Sequence, residues 1–287
     1  MTKDYAAVYR LSNTQRGYSW SVTARAEYDF AYPLAGLRVA AAYTFSQSKS
    51  INDGVSAQAS SNWGRNYAVD SNAPELSNSL YEFPHKVVAT ISYNKRYGLF
   101  GTNIMLLYNG YSGEHYSLTY AKGKVYVNGD SYRGNSLIYI PTEDEMSTML
   151  WADDTSAAAF NDYIKADKYL QSHRGKFAER NSHSLPFVHR LDLHIAQSFY
   201  FKKGNSISNR DQRVELSLDV INLSNLICRS WGMSYRVSNW ALSPVTVTEL
   251  REVEGGYRPV YKFNGANYTV NDLASRWHMQ LGIRVVF

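Results

Sequence analysis

Glu143, Asp144, Glu145, Asp153 and Asp154 offer carboxylate oxygens of the kind that hold Ca²⁺. Their order does not follow the ligand spacing of an EF-hand loop, so the set reads as a solvated acidic loop. Gly110-Tyr-Ser-Gly113 puts a serine near glycines, as a nucleophile elbow does. It lacks the G-x-S-x-G spacing and falls in a strand rather than at a strand-to-helix turn. His189 and His194 are candidate metal ligands, but five residues apart on a strand they project from opposite faces. Cys228 is the single cysteine, which excludes an intramolecular disulfide, and no Cys/His cluster suits zinc. A formal charge of +5, with basic residues scattered among acids, argues against nucleic acid as a partner. The residues therefore predict neither catalysis nor a cofactor.

What positions these side chains is a period of two. From Arg276 to the end, Trp277, Met279, Leu281, Ile283, Val285 and Phe287 share one parity, while Arg276, His278, Gln280, Gly282 and Arg284 share the other. Such alternation describes a strand with different solvents on its two faces. The pattern recurs in Phe187–Phe201, where Leu191, Leu193, Ile195, Phe199 and Phe201 oppose Arg190, Asp192, His194 and Ser198. It recurs from Val214 to Val220 against Arg213 to Asp219, and from Trp20 to Phe30 against Ser19 to Asp29. Further strands are predicted at about 36–50, 84–97 and 101–120, with a short first strand near 4–12.

Half-buried soluble sheets also alternate. Several of these strands, however, run to roughly 12–17 residues against about 5–6 for a globular strand, which suits a bilayer-crossing barrel. A mean hydropathy of −0.40 excludes a bundle of membrane helices but not a barrel, half of whose strand residues face water. The expected fold is thus all-β: an antiparallel, up-and-down transmembrane β-barrel segment of about eight long strands with long extracellular loops.

Link lengths set the orientation. Tyr32–Ala35, Tyr97–Phe100 and about 203–211 are short, whereas about 52–82, 121–186 and 238–275 are long. Short turns belong at the periplasmic rim and long loops outside. Phe30, Tyr32, Tyr93, Tyr97, Phe100, Phe199, Phe201 and Phe287 then form a periplasmic aromatic girdle, and Trp20, Tyr43, Phe45, Phe83, Tyr111, Phe187 and Trp277 the outer one. Arg25, Glu27, Arg190, Asp192, His194, Glu215 and Asp219 are expected to face a wet lumen, as cross-strand pairs or plug contacts more than as ligand contacts. In the longest loop, Thr142 before three acids predicts a helix N-terminus, and Ala157–Leu170 a second helix. Trp63, Tyr132, Tyr139 and Trp151 are the loop aromatics that could stack on a sugar or cover a peptide, with loop packing as their plainer role.

Three stretches carry a family resemblance: Leu185-Pro-Phe-Val-His-Arg-Leu-Asp-Leu-His-Ile-Ala-Gln, Val214 to Leu226 with Asp219-Val-Ile-Asn-Leu-Ser-Asn-Leu, and Trp277-His-Met-Gln-Leu-Gly-Ile-Arg-Val-Val-Phe287. With them the chain resembles the C-terminal barrel portion of TonB-dependent outer-membrane receptors of the Bacteroidetes type, the Oar-like branch related to the SusC/RagA importers. The resemblance matches Asn222, Leu223, Ser224 and Asn225 to an Asn-Leu-x-Asn element of the penultimate strand. It assigns Phe287, with Ile283 and Leu281, to the signal read by the outer-membrane assembly machinery. It further implies outer-membrane lipid as surroundings, TonB and a plug domain as partners of a full-length parent, a surface lipoprotein as another partner, and a fragment of a barrel of about 22 strands. Plug and TonB box are absent from this sequence, and Met1-Thr-Lys-Asp-Tyr does not open a signal peptide, so a C-terminal piece of a longer chain is expected. The function implied is uptake of a glycan, peptide or other scarce nutrient. Two other readings stay open: a small outer-membrane barrel acting as an adhesin, and a secreted carbohydrate-binding sheet.

Overall fold

The computed structural model describes residues 8–125, 127, 134–201 and 212–287. Seven long strands form one antiparallel sheet, here called the wall: β1 (Tyr18–Asp29), β2 (Leu37–Ser50), β3 (His85–Tyr97), β4 (Phe100–Tyr111), β5 (Val188–Phe201), β6 (Gln212–Ile221) and β7 (His278–Val286). Each lies beside its neighbour in this series, which is the up-and-down order. The β3–β4 turn has only Gly98 and Leu99 between the strands, and Gly98 sits at φ +62°, a conformation that costs an L side chain but not glycine.

Register fixes which residues share a face. Val22 pairs with Phe45, Val39 with Ile91, Ile91 with Leu106, Leu106 with Leu193, Ile195 with Leu218, and Leu218 with Leu281. One apolar surface therefore runs unbroken across all seven strands, and it is made of the residues the alternation selects. On this face only Gly110 and Val220 are buried, both at the loop end. Leu281 is 81% exposed, Ile283 75% and Val22 63%, so most of the surface is open, and at its loop end residues 230–233 lie against Tyr108, His189 and Leu191. Along β5 the two parities differ: Val188, Ala196 and Ser198 of the polar parity are buried, whereas no residue of the apolar parity is.

The structure corrects several expectations. Residues 8–17 carry no strand, and 4–7 lie outside the described residues, so the long strands among the described residues number seven where about eight are expected. The sheet is open. β1 pairs only with β2 and β7 only with β6, and no closed barrel forms among the described residues. The expected strand 101–120 breaks after Tyr111 and resumes at His115 in another sheet; between them Gly113 lies so close to Leu185 that a Cβ there would meet its carbonyl oxygen at 2.4 Å. Tyr111 pairs with Lys86 and so faces the polar side, unlike the other strand aromatics of the expected girdles. The short link 203–211 lies outside the described residues.

The largest departure is in the long links, which build a second layer, the cap. Five strands order as His183–Ser184, His115–Tyr120, Ala241–Val253, Gly256–Phe263 and Leu150–Trp151, with parallel pairings at the second and fourth junctions. Around them pack helices Glu143–Thr148, Ser156–Ala166 and Lys168–Ser172. Thr142 caps the first as expected, and its Oγ1 accepts from the Glu145 amide while Glu145 accepts from the Thr142 amide. The expected helix 157–170 divides at Asp167, whose carboxylate accepts from the Leu170 amide at 2.9 Å and starts a new helix. Leu118, Ile138, Ile140, Phe160, Ile164, Leu170, Val245 and Val247 form the core of this layer. The apolar core of the described chain is thus in the cap, while the wall's own apolar residues point outward.

Candidate functional site

The polar face of the wall carries all seven charged residues singled out from the sequence, and it brings each to a partner. Arg25 meets Glu27 at 2.6 Å, and Arg38 joins Glu27 at 3.0 Å. Arg190 grips Asp192 through two nitrogens, and His194 meets Asp219 of the adjacent strand at 2.6 Å. Ser198 donates to Glu215 at 3.0 Å. Alternation puts these groups on one face, and opposite charges on neighbouring or same-face positions satisfy one another there. His189 stands on the apolar face and His194 on the polar one, and no group of three metal-ligating side chains occurs among the described residues.

Where the polar face meets the cap, a cavity of about 430 Å³ opens. The wall contributes Lys86, Asn109 and Tyr111; the cap side contributes Glu114, Arg236 and Asn271. Lys86 and Arg236 are exposed and form no ion pair with a described residue. The Asn109 Oδ1 is buried without a hydrogen-bond partner. Two cations, one carboxylate and a free amide oxygen can hold a polar solute by charge and hydrogen bonding. The parity of 84–97 and 101–120 already contained Lys86 and Asn109 on the polar face; Arg236 and Glu114 come from the cap, whose folding no local pattern announces.

Two buried polar knots fix the cap to the wall. In the first, Arg180 meets Asp53 at 2.6 Å with both side chains 4% exposed. Asp53 also accepts from Ser50, Ser79, the Leu80 amide and Asn181, which ties the 52–82 segment to the 121–186 segment. In the second, Asn222 ends β6 in the left-handed region at φ 56°. Its amide nitrogen donates to Asp192 at 2.7 Å, and its side-chain Nδ2 donates to the carbonyls of Gly232 and Ser275 at 3.0 and 2.8 Å. Ser224 donates to its Oδ1 at 2.8 Å, and any Cβ on Gly232 would overlap that oxygen. The Asn-Leu-Ser-Asn element thus turns the chain from wall to cap.

The loop aromatics do not assemble into one platform. Trp151 packs near Phe160 and Tyr261 in the cap core, and Tyr139 lies edge-on to Phe177 and donates to Glu145. Trp63 is in the helix Ala59–Gly64 against Tyr9, and Tyr132 lies outside the described residues. Leu281, Ile283 and Phe287 share the apolar parity of the last strand, with Phe287 82% exposed just past its end.

His183 makes cap stability pH-dependent. Burial pulls its basicity below the ordinary histidine value, and the Asp167 carboxylate 3.3 Å away opposes this without reversing it. Above about pH 6.5 the ring is neutral folded or unfolded; as pH falls below that, the unfolded chain takes up a proton that the folded cap resists. Amide protection factors at Leu118, Ile138 and Ile140, exchange taken relative to the unstructured chain at the same pH, are expected to fall between pH 7 and pH 5.5, and His183→Gln should flatten that dependence. An equal pH response in the variant would remove His183 as its source.

Comparison of the chain with protein-family models, with curated proteins and with solved structures returns no match.

Proposed function

We propose that this chain supplies part of the wall and the extracellular cap of an outer-membrane β-barrel of the TonB-dependent importer type, taking up a polar nutrient through a lumen bounded by the wall's charged face. The observation that carries the reading is the largely open apolar face spanning seven strands, opposite a polar face whose charged residues pair with one another. In water such a surface is costly, since burial of apolar area stabilises by about 25 cal/mol per Å²; against hydrocarbon the cost vanishes. The open edges of β1 and β7 agree with the larger barrel. Unpaired strand backbone is not tolerated in hydrocarbon, so further strands must complete a wall that lies in a bilayer. The cavity supports import over adhesion in that Lys86 and Asn109, from the polar face of the wall, line it together with residues of the cap.

Arginine scanning of β7 tests the wall. Leu281→Arg is expected to cost about 2–4 kcal/mol of stability in lipid, and Gln280→Arg, one residue away on the polar parity, under about 1 kcal/mol. Denaturant titration of the protein folded into bilayers reads the difference. Equal costs at the two positions would defeat the membrane assignment. The reading frame upstream of the Met1 codon separates the two membrane functions: a plug-coding region supports import, and a signal peptide joined directly to this segment supports a small adhesive barrel.

A further inference from the structure

On the opposite side of the wall from the polar cavity, a recess of about 420 Å³ lies at the loop end of the apolar face. Tyr108, His189 and Leu191 of β4 and β5 form its floor, and Phe187, Trp231 and Met233 its sides. The segment after Asn222 lies against the wall to make it, contributing Ser224, Ser230, Gly232 and Trp231, the last 55% exposed. The one polar pair in the floor, Tyr108 Oη and His189 Nδ1 at 2.7 Å, satisfies itself. Arg229, in the same segment next to Ser230 of the lining, is exposed and in no ion pair among the described residues.

We infer that this recess holds an acyl chain of an anionic membrane lipid, with the lipid phosphate toward Arg229. The inference rests on the wall reading above. Three observations select this occupant. The recess is continuous with the apolar face, so a hydrocarbon chain reaches it without crossing water. Its aromatic rim lies at the end of the strands, where ring side chains sit half in water and half in hydrocarbon. Arg229, exposed and next in sequence to Ser230 of the lining, supplies a guanidinium beside the recess, a group that binds phosphate well.

The protein is extracted from membranes in each of two mild detergents of different mass and examined by native mass spectrometry. One retained adduct of phospholipid mass is expected in both detergents. Leu191→Trp and, independently, Met233→Trp fill the recess from the floor and from the side, and each should lower adduct occupancy at least tenfold. Arg229→Ala should lower the preference for anionic over zwitterionic lipid at least threefold on re-addition of defined lipids. An adduct whose mass follows the detergent, or one that survives both tryptophan variants, overturns the inference. A variant retaining only Trp277, which continues the apolar parity of β7, separates this from failure of the wall reading. Quenching of Trp277 by acyl-brominated lipid without a recess-dependent adduct overturns the lipid site alone. An unquenched Trp277 overturns the wall reading and the lipid site together.

Discussion

Arg180→Met is expected to destabilise the cap by about 3–5 kcal/mol, the cost of removing one partner from a buried ion pair. The magnitude follows from what remains. Asp53 is as buried as Arg180 and would keep its four hydrogen-bond donors, but its charge would lie uncompensated out of water. The Ser50 carbonyl, which also accepts from Arg180, would lose a donor. Because the pair joins two segments more than a hundred residues apart in sequence, the loss should appear as release of 52–82 from the rest of the cap. Limited proteolysis within that segment, with the wall left intact, measures it. A second substitution, Asp53→Asn in the Arg180→Met background, should recover part of the loss by deleting the stranded charge. Failure of that recovery would mean the pair contributes packing rather than charge.

Asn222→Ala is expected to cost about 3–5 kcal/mol. Alanine in the left-handed region loses about 1–2 kcal/mol relative to a relaxed backbone, a cost that asparagine lessens by local hydrogen bonding. Deleting Nδ2 leaves the Gly232 and Ser275 carbonyls short of a donor in a site that is 1% exposed, at about 1–3 kcal/mol for each group left unsatisfied. Asn222→Asp removes the same donor while keeping an oxygen for Ser224, so it divides the carbonyl contribution from the rest. Glycine at 222 would relieve the backbone but not the carbonyls. Thermal unfolding of the four proteins orders them as Asn, then Gly and Asp, then Ala, and a glycine variant as stable as the parent would show that backbone conformation alone matters.

The wall was legible because its code is local. Alternation in Phe187–Phe201 or Trp277–Phe287 needs only neighbouring residues, and pairing then set all those segments on common faces. Thr142 was legible for the same reason, since a cap and the residue three positions on suffice. The cap was not legible. Its sheet pairs His115–Tyr120 with Ala241–Val253 in parallel across more than a hundred residues, and its strand Leu150–Trp151 is too short to carry a period. One signal was present: Gly255-Gly256 lies between the β-prone runs Val245–Val253 and Tyr257–Phe263, which fold as a hairpin inside what reads as a loop. Trp151 packs against that unforeseen core, and Tyr139 against Phe177 and Glu145, which is the loop-packing role expected of them as the plainer one. The close approach at Gly113 likewise involves Leu185, a neighbour known only once the cap has folded.

A cap that carries its own core has a consequence for how such a surface can diversify. Substitutions at Phe160, Ile164 or Val245 reshape the outer face through contacts confined to that layer, and the strands beneath keep their pairing. Sequence change in the cap can therefore accumulate while the wall beneath keeps its form.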